Sequence, residues 1–200
     1  MVLKKNQYIF FSFFLIVLSF VYPFLNSGFF SVNPVESLLH YSGQNSIRFI
    51  LATLAISPLM NIFKKPYLIF CRKIFGLTSF FYCLIHFLIY FVFELEKSNL
   101  SFLYSDATSR PFIFYGLISF FCLIPLAITS NQYFLKRMGS EKWKKLHQLI
   151  YFSFAFSSFH YYFKSASKEG AGLALLYISI GLFLLFFRAF KFNFRSRIDD

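Results

Sequence analysis

Apolar and polar residues fall in alternating blocks along this chain, and the apolar blocks have membrane lengths. They run from Tyr8 to Leu25, Ser46 to Phe63, Ile74 to Phe93, Phe112 to Thr129, about Leu146 to Phe163, and Ala171 to Phe187. Each is close to the ~20 residues that an α-helix needs to cross a bilayer. A helix on the surface of a soluble protein would instead show one apolar stripe. The pattern predicts an all-α membrane protein, a six-transmembrane-helix bundle forming a single domain over residues 1–200. The first block follows Lys4 and Lys5, the charge order of a signal peptide, but it has no small-x-small cleavage site and is long enough to span. Between the blocks lie a polar loop from Gly28 to Ser42 holding Glu36 and His40, and a basic loop carrying Lys64, Lys65, Arg72 and Lys73. They are followed by an acidic loop from Glu94 to Arg110, a basic one from Asn131 to Lys145, and a short one with Gly170 and Gly172. Pro58 and Pro125 sit toward helix ends and read as kinks, not as a transporter's pair of broken helices.

Composition agrees with that pattern. The chain is 58% hydrophobic and 14% charged with a mean hydropathy of +0.60, against about half apolar and about a quarter charged in soluble domains. A formal charge of +12 would suggest nucleic acid in a soluble protein, so the position of the charges decides its meaning. Fifteen of the twenty Lys and Arg fall on one side, in the N-terminal segment, the loops after the second and fourth blocks, and the tail. The other five are Arg48, Lys97, Arg110, Lys164 and Lys168. Retained positive charge marks cytoplasmic loops, so both termini are expected in the cytoplasm of a multi-pass inner-membrane protein, with lipid as partner and no nucleic acid. The 34 Phe suit lipid-facing surfaces or reflect codon bias and carry no functional weight. Cys71, Cys83 and Cys122 lack CxxC spacing and an even count, which excludes a disulfide framework or thiolate metal site from the reading.

The chemistry must then come from histidines. The stretch WKKLHQLIYFSFAFSSFHYYF, Trp143 to Phe163, has one near each end, His147 and His160. The third helix carries His86 twelve residues from its cytoplasmic start, about 18 Å deep at ~1.5 Å per residue. His160 lies thirteen residues beyond His147, about 20 Å further out, so His86 and His160 share a depth. Two imidazoles from different helices at one depth suit a six-coordinate b-type haem, each giving a nitrogen to one face of the iron. The plainer alternative is a hydrogen bond between helices, although intramembrane ionisable groups are functional suspects. For His147, beside a lysine cluster, the plain reading is a polar ring at the interface. On a straight helix, at about 100° per residue, His147 and His160 would point about 140° apart. A second haem at His147 would need another kind of ligand, because the third helix reads Cys71, Arg72, Lys73 at that level and His40 belongs on the outer side.

Four blocks in order resemble one family. They are HYSGQNSIRFILATLAISPL (His40 to Leu59), CRKIFGLTSFFYCLIHFLIY (Cys71 to Tyr90), RPFIFYGLISFFCLIPLAITS (Arg110 to Ser130) and KRMGSEKWKKLHQLIYFSFAFSSFHYY (Lys136 to Tyr162). Together they are similar to MsrQ, the haem-binding membrane subunits of the MsrPQ methionine sulfoxide reductase system, within the ferric-reductase-like transmembrane group. The resemblance implies an electron-transfer subunit of an oxidoreductase complex, with haem b as cofactor. It would pass electrons from the quinone pool or a flavin to a periplasmic molybdenum-containing methionine sulfoxide reductase. It also implies that His86, His147 and His160 are haem-associated, and that FMN binds at residues the sequence does not identify. Where the family commonly has Trp shortly after the last histidine, this chain has Phe163.

Arg48 and Arg110 are expected at the outer starts of the second and fourth helices, each a candidate partner for a haem propionate or simply a snorkelling side chain. Trp143 reads as a headgroup-level anchor. The cluster Lys136, Arg137, Lys142, Lys144 and Lys145 could hold a flavin phosphate or dock a reductase, but positive-inside retention and anionic lipid contact explain it without either and are the favoured reading. Two other functions remain open: a haem-containing reductase of ferric ion or another small acceptor, and a transporter or structural membrane protein without haem.

Overall fold

The computed structural model describes residues 2–26, 33–95, 99–166 and 170–196, with side chains for those from 6 to 188. The regular elements among them are helical. Helix α1 is Val2–Leu25, α2 Pro34–Phe63, α3 Ile69–Ile89, α4 Leu100–Ser109, α5 Pro111–Ile128, α6 Gln132–Met138, α7 Ser140–Leu146, α8 Leu149–Ala166 and α9 Gly172–Ser196. A 3-10 turn, Pro66–Leu68, leads into α3, and a π turn, Tyr90–Glu94, ends it. The segments Asn6–Leu25, Pro34–Phe63, Pro66–Glu94 and Pro111–Ile128 are long and apolar enough to cross a membrane. Phe10, Phe11, Phe13 and Phe14 of α1 are all exposed, a surface that suits lipid and would be a liability in water. The expected basic positions Lys97, Lys168 and Arg197, and Gly28, lie outside the described residues, as do the side chains of Lys4, Lys5, Lys191 and Arg195.

Two expectations need correction. The loop expected over Gly28 to Ser42 gives way at Pro34 to α2, whose 30 residues span about 45 Å, well beyond the ~30 Å hydrocarbon core. The local cause is a complete helix start: Asn33 caps by accepting from Glu36 N–H at 3.2 Å, Pro34 takes the first turn, and Glu36 faces the positive helix end. Glu36, His40, Gln44 and Asn45 therefore lie on helix. Second, Trp143 to Phe163 is two helices, not one, with His147 and Gln148 in the turn between α7 and α8. Gln148 N–H reaches back to Lys145 O at 3.1 Å and Tyr151 N–H to Gln148 O at 3.0 Å, three-residue closures that break the α register. Smaller differences follow the same logic: the acidic loop contains α4 and the second basic loop contains α6 and α7.

The bundle is built on two helix pairs, α2 along α3 and α5 along α8. Each is stitched by two serines. Ser46 Oγ donates to Ser79 O at 3.2 Å and Ser79 Oγ to Ser46 O at 3.0 Å. Ser119 Oγ donates to Ser153 O at 2.9 Å and Ser153 Oγ to Ser119 O at 3.3 Å. All four serines are buried, as expected where small residues let membrane helices approach. The central core of Ile50, Leu51, Leu54, Leu123, Leu126, Ile150 and Phe154 locks the pairs together. Helix α9 packs over it, with Gly181 directly against the Phe154 ring.

Candidate functional site

At the end of the bundle away from the lysine-rich loops, the two pairs enclose a cavity of about 260 Å³. His86 of α3 and His160 of α8 face each other in it, with ring centroids 5.9 Å apart and ring planes crossed at 83°. The two rings that the depth arithmetic paired therefore meet, although α3 begins at Ile69 and not at the Ile74 from which His86 was counted.

Each ring is held from behind in the same way. His86 Nδ1 lies 2.9 Å from Leu39 O and His160 Nδ1 2.7 Å from Phe112 O. A carbonyl only accepts, so both Nδ1 atoms carry the proton, and in each neutral ring Nε2 keeps its lone pair. This is the tautomer that metal-ligating histidines adopt when a backbone carbonyl orients them. Beneath the rings run Gly43 of α2 and Gly116 of α5. Sequence reading passed over both glycines, because their role depends on contacts across helices.

The mouth of the cavity is polar. His40, Glu94, Arg110 and Lys164 line it. Arg110 Nε donates to Asp106 Oδ1 at 2.6 Å, its Nη2 also meets Asp106, and the Tyr90 hydroxyl donates to the same carboxylate. Partial burial of Asp106 opposes its ionisation, but the hydrogen bonds from Arg110 and Tyr90 outweigh burial and hold the carboxyl below its usual value. The bond from Tyr90 ties α4 to the π turn. His40 Nε2 stands 3.6 Å from Glu36 Oε1.

Arg48 departs from its expected place. Because α2 starts at Pro34, Arg48 lies fourteen residues into the helix. Its guanidinium is bonded to Tyr177 Oη at 2.8 Å, Asn45 Oδ1 at 3.3 Å and Gln44 Oε1 at 3.1 Å. It is not among the residues lining the cavity.

His147 is elsewhere too. Its ring stacks on Trp143 at 3.8 Å, and its Nε2 is 3.1 Å from Thr129 Oγ1. Thr129 donates its only hydroxyl proton to Pro125 O at 2.6 Å, so it accepts from His147 Nε2–H. In that tautomer the proton sits on Nε2 and the lone pair on Nδ1. Trp143 Nε1 donates to Thr129 O at 2.8 Å, so the expected interfacial anchor is also a clasp onto the end of α5. Among the described residues no cluster of three or more His, Cys, Asp or Glu is placed to hold a bare metal ion. A haem, which brings its own macrocycle, would ask the chain for two imidazole nitrogens, and the His86 and His160 rings facing each other in the cavity fit that need.

Comparison with known proteins points the same way. Residues 42–158 match the family described as "Ferric reductase like transmembrane component", a match that includes His86 and ends two residues before His160. The chain is 35% identical to the protein-methionine-sulfoxide reductase heme-binding subunit MsrQ of Pectobacterium carotovorum subsp. carotovorum (strain PC1), over 84% of this chain and 83% of that protein. It is 34% identical, with the same coverage, to the proteins of that name from Pectobacterium atrosepticum and Salmonella arizonae.

Proposed function

We propose that this chain, which belongs to the ferric reductase like transmembrane component family and within it to the MsrQ heme-binding subunits, relays electrons across the bacterial inner membrane through one b-type haem. What supports this most directly is the pair of crossed imidazoles 5.9 Å apart, each proton-bearing on Nδ1 and lone-pair-bearing on the nitrogen that remains. Haem b, when bound, supplies reversible one-electron chemistry at iron. The chain's own residues do the rest. His86 and His160 would hold the haem, the Leu39 and Phe112 carbonyls fix the ring tautomers, and the apolar wall of Ile47, Phe87 and Phe120 excludes water. Lys164, and Arg110, whose guanidinium is shared with Asp106, would supply positive charge for the haem carboxylates.

The orientation proposed puts both termini and the lysine-rich loops in the cytoplasm by the positive-inside rule, with six spans made by α1, α2, α3, α5, α8 and α9. The haem then lies toward the periplasm, near α4 and the start of α2. The acceptor is a periplasmic molybdenum-containing methionine sulfoxide reductase, and the donor is the quinone pool or a flavin such as FMN. A reduced-minus-oxidised absorption spectrum of the purified protein tests the haem: a b-type spectrum is expected, and its absence would leave the transporter or structural alternatives. The reduced protein should then be reoxidised by methionine sulfoxide only when the periplasmic partner is present. Reoxidation by ferric ion without a partner would favour the small-acceptor reductase instead.

A further inference from the structure

Gly43 and Gly116 occupy matched places under the two histidines. A Cβ added to Gly43 would stand 2.9 Å from His86 Nδ1 and 3.0 Å from its Cε1, and one added to Gly116 would stand 2.8 and 3.1 Å from the same atoms of His160. In both cases the carbonyl that receives the Nδ1 proton belongs to the residue four before the glycine, Leu39 for Gly43 and Phe112 for Gly116. One helical turn therefore offers both the open groove and the acceptor. A side chain on that turn would lift the ring off the carbonyl it bonds.

The geometry points to Gly43 and Gly116 as positioning residues for the haem ligands: the missing Cβ in each half lets the imidazole reach a helix carbonyl, and that bond sets the ring's rotation and its donor strength. This inference rests on the haem reading above. The physical sequence is short. An Nδ1–H bonded to a carbonyl makes the imidazole more electron-rich and a better axial ligand, and outer-shell partners of this kind alter metal affinity by about 10- to 100-fold. An alanine at either glycine displaces the ring, weakens that bond and misaligns the ligand, so the ferric state loses more support than the ferrous.

Helix propensity predicts the opposite sign. Alanine is the better helix former, so substitution at an unobstructed helical glycine improves the helix. Gly76 provides that comparison within the same helix pair, since its added Cβ meets Thr53 Cγ2 at 3.8 Å and Thr53 Oγ1 at 3.9 Å, both ordinary contacts. Gly181 provides the other, because its added Cβ would strike the Phe154 ring, away from the histidines.

The experiment compares Gly43→Ala, Gly116→Ala, Gly76→Ala and Gly181→Ala by haem content, spectroelectrochemical midpoint potential and the low-spin ferric resonance. Gly43→Ala and Gly116→Ala should each bind haem about tenfold or more weakly, with a raised midpoint potential and an altered low-spin signal. Gly76→Ala should match wild type in all three. Gly181→Ala should lower thermal stability while the haem it retains keeps the wild-type potential. Wild-type affinity and potential in both Gly43→Ala and Gly116→Ala would overturn the inference. Should those variants not fold, histidine ¹⁵N resonances of the reduced, diamagnetic wild type decide: two ligand rings with hydrogen-bonded Nδ1–H support it, and unprotonated or solvent-bonded Nδ1 overturns it. A wild-type protein without haem would instead defeat the electron-transfer reading itself.

Discussion

In the α2–α3 pair, Gly43 stands three residues before Ser46, and Ser79 seven residues before His86; in the α5–α8 pair the same steps separate Gly116 from Ser119 and Ser153 from His160. The contacts repeat with the steps: a reciprocal serine pair, a ring over a glycine, and an Nδ1 proton on the carbonyl one turn earlier. Toward the lysine-rich end the likeness stops. Thirteen residues before the two histidines stand Lys73 and His147, and only the second pair breaks into two helices there. The difference teaches where the molecule needs symmetry. On the proposed function, a haem held between His86 and His160 would ask equal contributions of both pairs, and the geometry around those two rings is duplicated. At the other end His147 is bonded to Thr129 and stacked on Trp143.

The sharpest way to break this comparison is to remove one imidazole at a time. His86→Ala and His160→Ala should each abolish the b-type spectrum, and by equal amounts, because a six-coordinate haem loses its grip when either face is bare. His147→Ala should keep the full haem complement per chain, measured as pyridine haemochrome. Partial haem loss in His147→Ala would reveal a second site and dissolve the asymmetry.

The serine pairs should give a smaller and again symmetric effect. Ser79→Ala and Ser153→Ala each remove one hydroxyl from a buried reciprocal pair, and interhelical hydrogen bonds in membranes average ~0.6 kcal/mol with a maximum of ~1.7. Thermal unfolding in detergent should show two modest drops of similar size. A large drop for one and none for the other would mean that the two pairs share steps of sequence but not of energy.

What could be read in advance follows from this symmetry. His86 and His160 could be paired because depth along a helix is linear arithmetic, although α3 starts at Ile69 and α8 at Leu149, not at Ile74 and Leu146 as expected. Their glycines were not, since no spacing along one chain says that Gly43 will meet His86 across an interface. The long α2 was half legible. Glu36, His40, Gln44 and Asn45 look like loop by polarity, yet Asn33-Pro34-Val35-Glu36 is a helix-start signature in its own right. The break at His147 left no polarity signal, because the apolar run from Leu149 onward merges with the lysine-bearing turn of α7.

At the cavity mouth an acid stands one helical turn before a base twice, Glu36 before His40 on α2 and Asp106 of α4 before Arg110 at the start of α5. Acid should separate them from the rest of the fold. The Asp106 carboxyl is held below its usual value by Arg110 and Tyr90, so the unfolded chain binds more protons than the folded one as pH falls. The contribution of Asp106 to stability is therefore complete above the ordinary carboxylate range and is lost as pH drops through the folded value, below about pH 4. Melting temperature measured between about pH 5 and pH 2 should fall less steeply in Asp106→Asn than in wild type. Parallel acid limbs would mean that the contact of α4 with Tyr90 does not depend on charge.

The smallest effect belongs to Thr129. In Thr129→Val the shape of the side chain is kept, His147 Nε2–H loses its acceptor, and Trp143 keeps its bond because that bond goes to the Thr129 carbonyl. Two neutral hydrogen bonds go, this one and the one that the Thr129 hydroxyl donates to Pro125 O, each worth about 0.5–1.5 kcal/mol net; Pro125 O keeps the Thr129 N–H at 3.0 Å and the half-buried His147 ring can turn toward water, so the expected loss lies at the low end. Haem spectrum and midpoint potential should be those of wild type, because the bond that stabilises His147 is confined to the lysine-rich end and makes no contact with the rings above it. A changed haem spectrum in Thr129→Val would couple the two ends. The local satisfaction of His147 would then be a functional link between them, and the separation of a duplicated site from an unduplicated end would no longer describe the molecule.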